Sequence, residues 1–200
     1  MSLLERVHQS HVASRRVRVL LRHLQDVIPC DASVLDVGCG DGELTAALAS
    51  ARDDIQIQGV DVLVRPDSTV RVTKFDGQAL PFDNGQFDVV LFVDVLHHTD
   101  DPLVLLREAS RVARRAVVLK DHLLQGPLAG PTLRLMDRVG NARHGVALPF
   151  KYWRRDEWDA AFAELHLTVD HWRPRLGLYW WPASLIFDRS LHFIGRLNVH

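Results

Sequence analysis

The sequence predicts a doubly wound α/β domain, a mostly parallel sheet with helices on both faces. Three observations carry this. Short apolar, β-favouring runs at 34–37, 55–60, 87–93 and 115–120 alternate with helix-compatible stretches at 43–51 and 103–112. The first run ends in a glycine-rich turn that opens directly into a helix. A chain of 200 residues buries roughly 70% of its unfolded surface, enough for one such core, so a single domain over 1–200 is expected. A net charge of −1 gives no broad pull towards nucleic acid. The two cysteines, Cys30 and Cys39, build no disulfide framework and suit a reducing cytoplasm. No apolar run near the start is long enough for a signal peptide or a membrane span.

Residues 1–29 read as a helical cap. Val17, Leu20, Leu21, Leu24, Val27 and Ile28 form an apolar stripe, and Pro29 ends the segment. Arg15, Arg18 and Arg22 form a basic stripe, which reads as a solvated face or as a contact for an anionic acceptor or membrane.

A core for a cofactor is expected over 30–120. Val34, Leu35 and Val37 suit a strand buried on both faces. Gly38, Gly40 and Gly42 then let a ligand approach the main chain, with Cys39 inside the same loop. A dinucleotide fingerprint needs a third glycine at position 43, where Glu43 stands. Asp36, Asp41 and Glu43 add three carboxylates, which suit a cationic ligand better than a pyrophosphate. A second strand ends at Asp61, placed to accept from both ribose hydroxyls, with Val62 against the adenine face. Asn84-Gly85 marks a turn before the strand 87–93.

The pattern Asp36-x-Gly-x-Gly-x-Gly42 resembles motif I of class I S-adenosylmethionine-dependent methyltransferases. Asp76-Gly-Gln-Ala-Leu-Pro-Phe82 with Phe87-Asp88 resembles the signature of the group called methyltransferase type 11, as do Leu96-His-His98 and Glu108-x-x-Arg111-Val112. The resemblance implies seven strands, the last antiparallel. It implies S-adenosyl-L-methionine as cofactor and S-adenosyl-L-homocysteine as product. By it, Asp76 accepts from the adenine N6 amine, Gly77 offers its N–H near the ring, and the Phe92 carbonyl holds the methionine amino group. A turn aspartate capping its own loop is the plainer reading of Asp76. Val112-Ala-Arg-Arg115 departs from the group's usual Lys-Pro-Gly-Gly turn, so a local difference is expected there.

The acceptor side is expected over 121–200, with a lid at 121–152 and an apolar insertion at 174–190. Asp121 and His122 follow the fifth strand and face the ligand crevice. Thr132–Val139 is helix-compatible, Asn141 and His144 are candidate acceptor contacts, and a connection this long suits a lid. Trp153–Leu165 reads as a helix, Leu167–Trp172 as strand six and Leu191–Leu197 as strand seven. In the insertion, Leu176, Leu178, Tyr179, Trp180, Trp181, Leu185, Ile186 and Phe187 cannot all stay in water. They pack on the domain, form a homodimer interface, or receive an apolar acceptor or bilayer surface.

These readings lead to methyl transfer onto a small-molecule or lipid-like acceptor by in-line displacement. An acceptor with an acidic proton needs a base, for which His122 ranks first, His97 second and His98 third. Neighbouring histidines diverge by about 100° on a helix, and no Cys/His cluster is evident, so no metal is expected. Two alternatives stay open, an NAD-binding oxidoreductase and a methyltransferase-fold protein that binds without turnover. No added RNA-binding domain or base-methylation motif supports a nucleic-acid acceptor.

Overall fold

A computed structural model describes residues 3–141 and 149–200 of the chain. The elements run α1 (Leu3–Val27), β1 (Ser33–Val37), α2 (Glu43–Ala51), β2 (Gln56–Asp61), β3 (Val72–Lys74) and β4 (Phe87–Val93). A 3-10 turn (Leu96–His98), α3 (Pro102–Val112), β5 (Ala113–His122) and α4 (Ala129–Asn141) follow. Last come α5 (Arg155–Glu164), β6 (Thr168–Arg173), α6 (Ser184–Phe187) and β7 (His192–Asn198). One seven-stranded sheet has the order β3-β2-β1-β4-β5-β7-β6. All pairs are parallel except those of β7, which runs antiparallel to both β5 and β6. The direction of winding reverses between β1 and β4, and that switch point opens a crevice at the carboxyl ends of the central strands.

Strand alternation sorts the core into two layers. Val34, Val89 and Val118 face α1 and α2, packing with Leu24 and Leu48. Their neighbours Leu35, Val90 and Val117 face the other way, with Leu106, Trp158 and Phe162. Both faces are therefore covered, as a parallel sheet requires.

Local chemistry explains the element boundaries. Asp101 caps α3 by accepting from the Leu103 N–H at 3.0 Å, and Pro102 occupies the first helical position. Glu108 accepts from the Leu80 N–H at 2.8 Å. Arg111 donates to the carbonyls of Phe82 and Leu80 at 2.8 and 3.0 Å. Together they clamp the Leu80-Pro81-Phe82 turn against α3. The departure at 112–115 has a simple outcome: α3 passes straight into β5, and Ala113 pairs with Phe87 across a register irregularity. Strand five is accordingly ten residues long, reaching His122 rather than stopping at Lys120.

The insertion divides. Leu176 and Leu178 are buried beneath α1, whereas Trp180, Trp181, Leu185 and Ile186 are 64, 79, 63 and 53% exposed. Arg15 of the basic stripe donates to the carbonyls of Gly177 and Leu178, and its guanidinium lies 4.0 Å from the Trp180 ring. Among the described residues, no helix is long and apolar enough to cross a membrane.

Candidate active site

The loop after β1 is built on left-handed backbone at Gly38, Gly40 and Gly42, with φ of 73°, 63° and 79°. The Gly38 N–H donates to the Val60 carbonyl at 2.7 Å, tying the loop to β2. A Cβ on Gly38 would lie 2.6 Å from Val95, whereas one on Gly40 would meet nothing and would fill the cavity instead. Asp61, at the tip of β2, accepts from the N–H groups of Gly40 (2.8 Å) and Leu63 (2.9 Å), which fixes its carboxylate at the cavity edge. Val62, Asp76 and Gly77 line the same end. Asp76 accepts from the N–H groups of Gln78 and Ala79, both at 2.8 Å, and these bonds hold its carboxyl below the usual range. The loop-capping reading of Asp76 therefore holds, and it leaves the residue facing the cavity.

Several sequence-predicted residues stand behind the wall rather than in it. Asp36 is buried and accepts from the Thr45 hydroxyl; burial pushes its carboxyl up to about 7 against that bond. Cys39 turns towards Gly59, and burial with the charges of Asp36 and Asp61 drives its thiol up to about 12. Phe92 is paired on both sides, to Val37 and Leu119, and the cavity begins one residue later at Val93. Of the three loop carboxylates, Asp41 alone lines the cavity, and its side chain also caps α2 through the Glu43 N–H at 3.1 Å.

At the opposite end, β5 and β7 bring His122 directly across from His192. His97 Nδ1 lies 2.6 Å from Asp121, whose carboxylate also accepts from the Leu96 and His122 N–H groups. Asp121 is 1% exposed, so it orients His97 instead of contacting an acceptor. From α4, Asp137 reaches His97 Nε2 (3.6 Å) and His122 Nε2 (3.3 Å), and the Tyr152 hydroxyl donates to it. Burial opposes protonation of His97, but Asp121 and Asp137 outweigh it and raise that ring to about 10. For His122 and His98, burial and the neighbouring His97 charge push the other way, keeping both rings neutral near pH 7. Asp94, in left-handed backbone at φ 57°, pairs with Lys120 and Arg16; these cations overcome burial and hold its carboxyl well below the ordinary value.

Asp94, Lys120, Asp137, Tyr152 and His192 escaped the sequence reading because no local spacing unites them. Only the antiparallel return of β7 and the packing of α4 do so. Asn141 is the last residue of α4, and His144 lies outside the described residues.

The two ends belong to one cavity of about 1250 Å³. A reversed seventh strand, a glycine cradle at the switch point and an acid at the tip of β2 define the class I S-adenosylmethionine-dependent methyltransferase fold. Residues 35–119 match the sequence model of the methyltransferase-domain family. It is 30% identical over 128 residues to 27-O-demethylrifamycin SV methyltransferase of Amycolatopsis mediterranei (strain S699), covering 56% of this chain and 47% of that one. Over 103 residues it is 33% identical to 2-methyl-6-phytyl-1,4-hydroquinone methyltransferase of Synechocystis, covering 47% and 32%. The chain thus spans about half or less of these relatives' length. Geranyl diphosphate C-methyltransferase of Streptomyces coelicolor A3(2), solved with S-adenosyl-L-homocysteine, superposes with a TM-score of 0.67 at 15% identity, over 92% of this chain and 76% of that one. S-adenosyl-L-methionine is the cofactor of this class of proteins.

Proposed function

We propose that the chain transfers a methyl group from S-adenosyl-L-methionine to an apolar small-molecule or lipid-like acceptor, releasing S-adenosyl-L-homocysteine. One observation carries the reading. A single cavity joins the glycine cradle to a histidine–aspartate wall, and its lining includes Phe187 and the largely exposed Leu135, Val139 and Trp180. Its volume of about 1250 Å³ exceeds the roughly 300–1,000 Å³ of a pocket for one small ligand, leaving room for donor and acceptor together.

When bound, the cofactor supplies a sulfonium-activated methyl carbon. Gly38 and Gly40 allow its close approach to the main chain. Asp61 accepts from the ribose hydroxyls, Val62 and Gly77 flank the adenine, and Asp76 accepts from its amine. Main-chain carbonyls following Phe92 hold the ammonium. The apolar part of the lining excludes water and aligns the acceptor opposite the departing sulfur. In the ion-free protein, neutral His122 takes the acceptor's proton, with His98 beside it. His97 stays protonated and stabilises the negative oxygen.

Calorimetry tests the donor: uptake of S-adenosyl-L-homocysteine with no uptake of NADH is expected, and the reverse would sink the assignment in favour of the oxidoreductase. Mass spectrometry of ligands carried through purification tests the acceptor, and a hydrophilic ligand in the cavity would count against the apolar reading. His122→Ala should cost turnover while leaving S-adenosyl-L-homocysteine affinity unchanged. Loss of both would assign His122 a structural role.

A further inference from the structure

The acceptor wall carries more ligating groups than one proton transfer needs, and hydrogen bonding fixes how they face. Asp121 accepts, so His97 Nδ1, 2.6 Å away, bears hydrogen, and the lone pair of the neutral ring is on Nε2. Lys120 can only donate, and its Nζ lies 3.3 Å from His192 Nδ1, so that nitrogen accepts. His122 Nδ1, 3.1 Å from the same atom, therefore donates, and its lone pair too is on Nε2. Both Nε2 atoms face the Asp137 carboxylate, at 3.6 and 3.3 Å. With both rings neutral, two nitrogen lone pairs and a carboxylate converge on one point, the donor set of a cation site; in the ion-free protein the proton on His97 fills that place.

We propose that His97 Nε2, His122 Nε2 and Asp137 form a binding site for a first-row divalent cation such as zinc, open towards the cavity. Around such an ion, with bonds of about 2.0–2.2 Å, neighbouring ligand atoms sit roughly 3.0–3.5 Å apart. Here each Nε2 lies 3.3 or 3.6 Å from an oxygen of Asp137, and the three ligand atoms lie within 4.8 Å of one another, so a small inward shift would close the site. Two imidazoles and one carboxylate from three segments leave coordination positions free, as in catalytic rather than structural sites. The outer groups are in place as well. Asp121 holds His97, His192 holds His122, and Tyr152 donates to Asp137. Two overlapping groupings are poorer. In Asp94–His122–His192 the Lys120 ammonium already sits on Asp94 and His192. In Asp94–His97–Asp121 the Asp121 oxygens are taken by His97 Nδ1 and two main-chain N–H groups. His98, adjacent in sequence, belongs to none of the three groupings, in keeping with the divergence of neighbouring histidines; the proposed site takes its second imidazole from β5 instead.

An oxygen of the acceptor is the natural ligand for the open positions. That role rests on the methyl-transfer reading; binding of the ion does not.

Chelator-stripped full-length chain, titrated with cobalt(II) chloride and followed by visible absorbance, should take up one ion per chain. Zinc chloride should compete for the same site. His97→Gln, His122→Gln and Asp137→Asn should each weaken uptake at least about tenfold. The exposed His166→Asn should leave it unchanged. S-adenosyl-L-homocysteine affinity, measured on the same samples, reports the fold and the donor site separately. No uptake by wild-type protein that still binds S-adenosyl-L-homocysteine would overturn the proposal, protons alone then filling the site. Uptake that survives all three substitutions would overturn it equally. If a variant fails to fold, X-ray absorption on zinc-loaded wild type decides. Two imidazoles in the first shell support the site; a sulfur ligand or a single imidazole refutes it.

Discussion

Asp61 illustrates how one side chain serves two ends. Its oxygens already accept from Gly40 and Leu63, so ribose hydroxyls would meet a carboxylate that is held in place before binding. Asp61→Ala should therefore weaken S-adenosyl-L-homocysteine by at least about 10- to 100-fold, the range of a single lost hydrogen bond to a charged group. Isothermal titration reads this directly. Asp36 offers a second test through pH. Its folded value of about 7 stands above the ordinary 3.8, so the folded protein holds a proton that the unfolded chain has released between those limits. Stability from this residue is whole below pH 3.8 and declines as pH rises towards 7, by at most about 1.4 kcal/mol per pH unit. Denaturant unfolding of Asp36→Asn should lack that decline, and a slope unchanged from wild type would refute the assignment.

At the level of elements, the donor half was legible because its chemistry is local. The glycine spacing and Asp61 about twenty residues on lie within one strand–helix–strand unit, and the Leu-Pro-Phe turn stands about thirty residues from the Glu108 and Arg111 that clamp it. Strand four was read at its observed bounds, Phe87–Val93. The acceptor half is less legible: a residue following strand five is expected to face the crevice, whereas Asp121 is 1% exposed with its carboxylate bonded to His97 Nδ1. No pattern in the primary structure says which side of a strand end faces a cavity. Gly38→Ala tests the loop: a Cβ at φ 73°, 2.6 Å from Val95, should destabilise the fold by roughly 1–3 kcal/mol. Thermal unfolding within error of wild type would show that the loop yields freely.

Across the whole molecule, apolar surface gathers where the cavity opens. Trp180 and Phe187 line the cavity with Leu135 and Val139 of α4, and Trp181 and Leu185, near them in the chain, are largely exposed, while Leu176 and Leu178 of the same insertion pack under α1. Of the three fates considered for 174–190, packing on the domain describes Leu176 and Leu178 and does not describe Trp181 and Leu185. Trp181→Ser should leave the melting temperature nearly unchanged, because little contact is lost. It should lower the affinity for a long-chain apolar acceptor or lipophilic probe, as read by fluorescence titration. A large fall in stability, or a concentration-dependent loss of dimer by sedimentation, would mark the residue as packing or interface.

The sheet order carries one more consequence. The glycine cradle and its neighbours are drawn from residues 38–77, whereas the facing wall comes chiefly from 94–137 and 192, with β4 lying between the strands that carry the two. On the proposed methyl-transfer reading, recognition of the donor and choice of recipient would then be physically separable. A chimera carrying a relative's β5–β7 connection should inherit that relative's clientele and still keep its own grip on the adenosyl group.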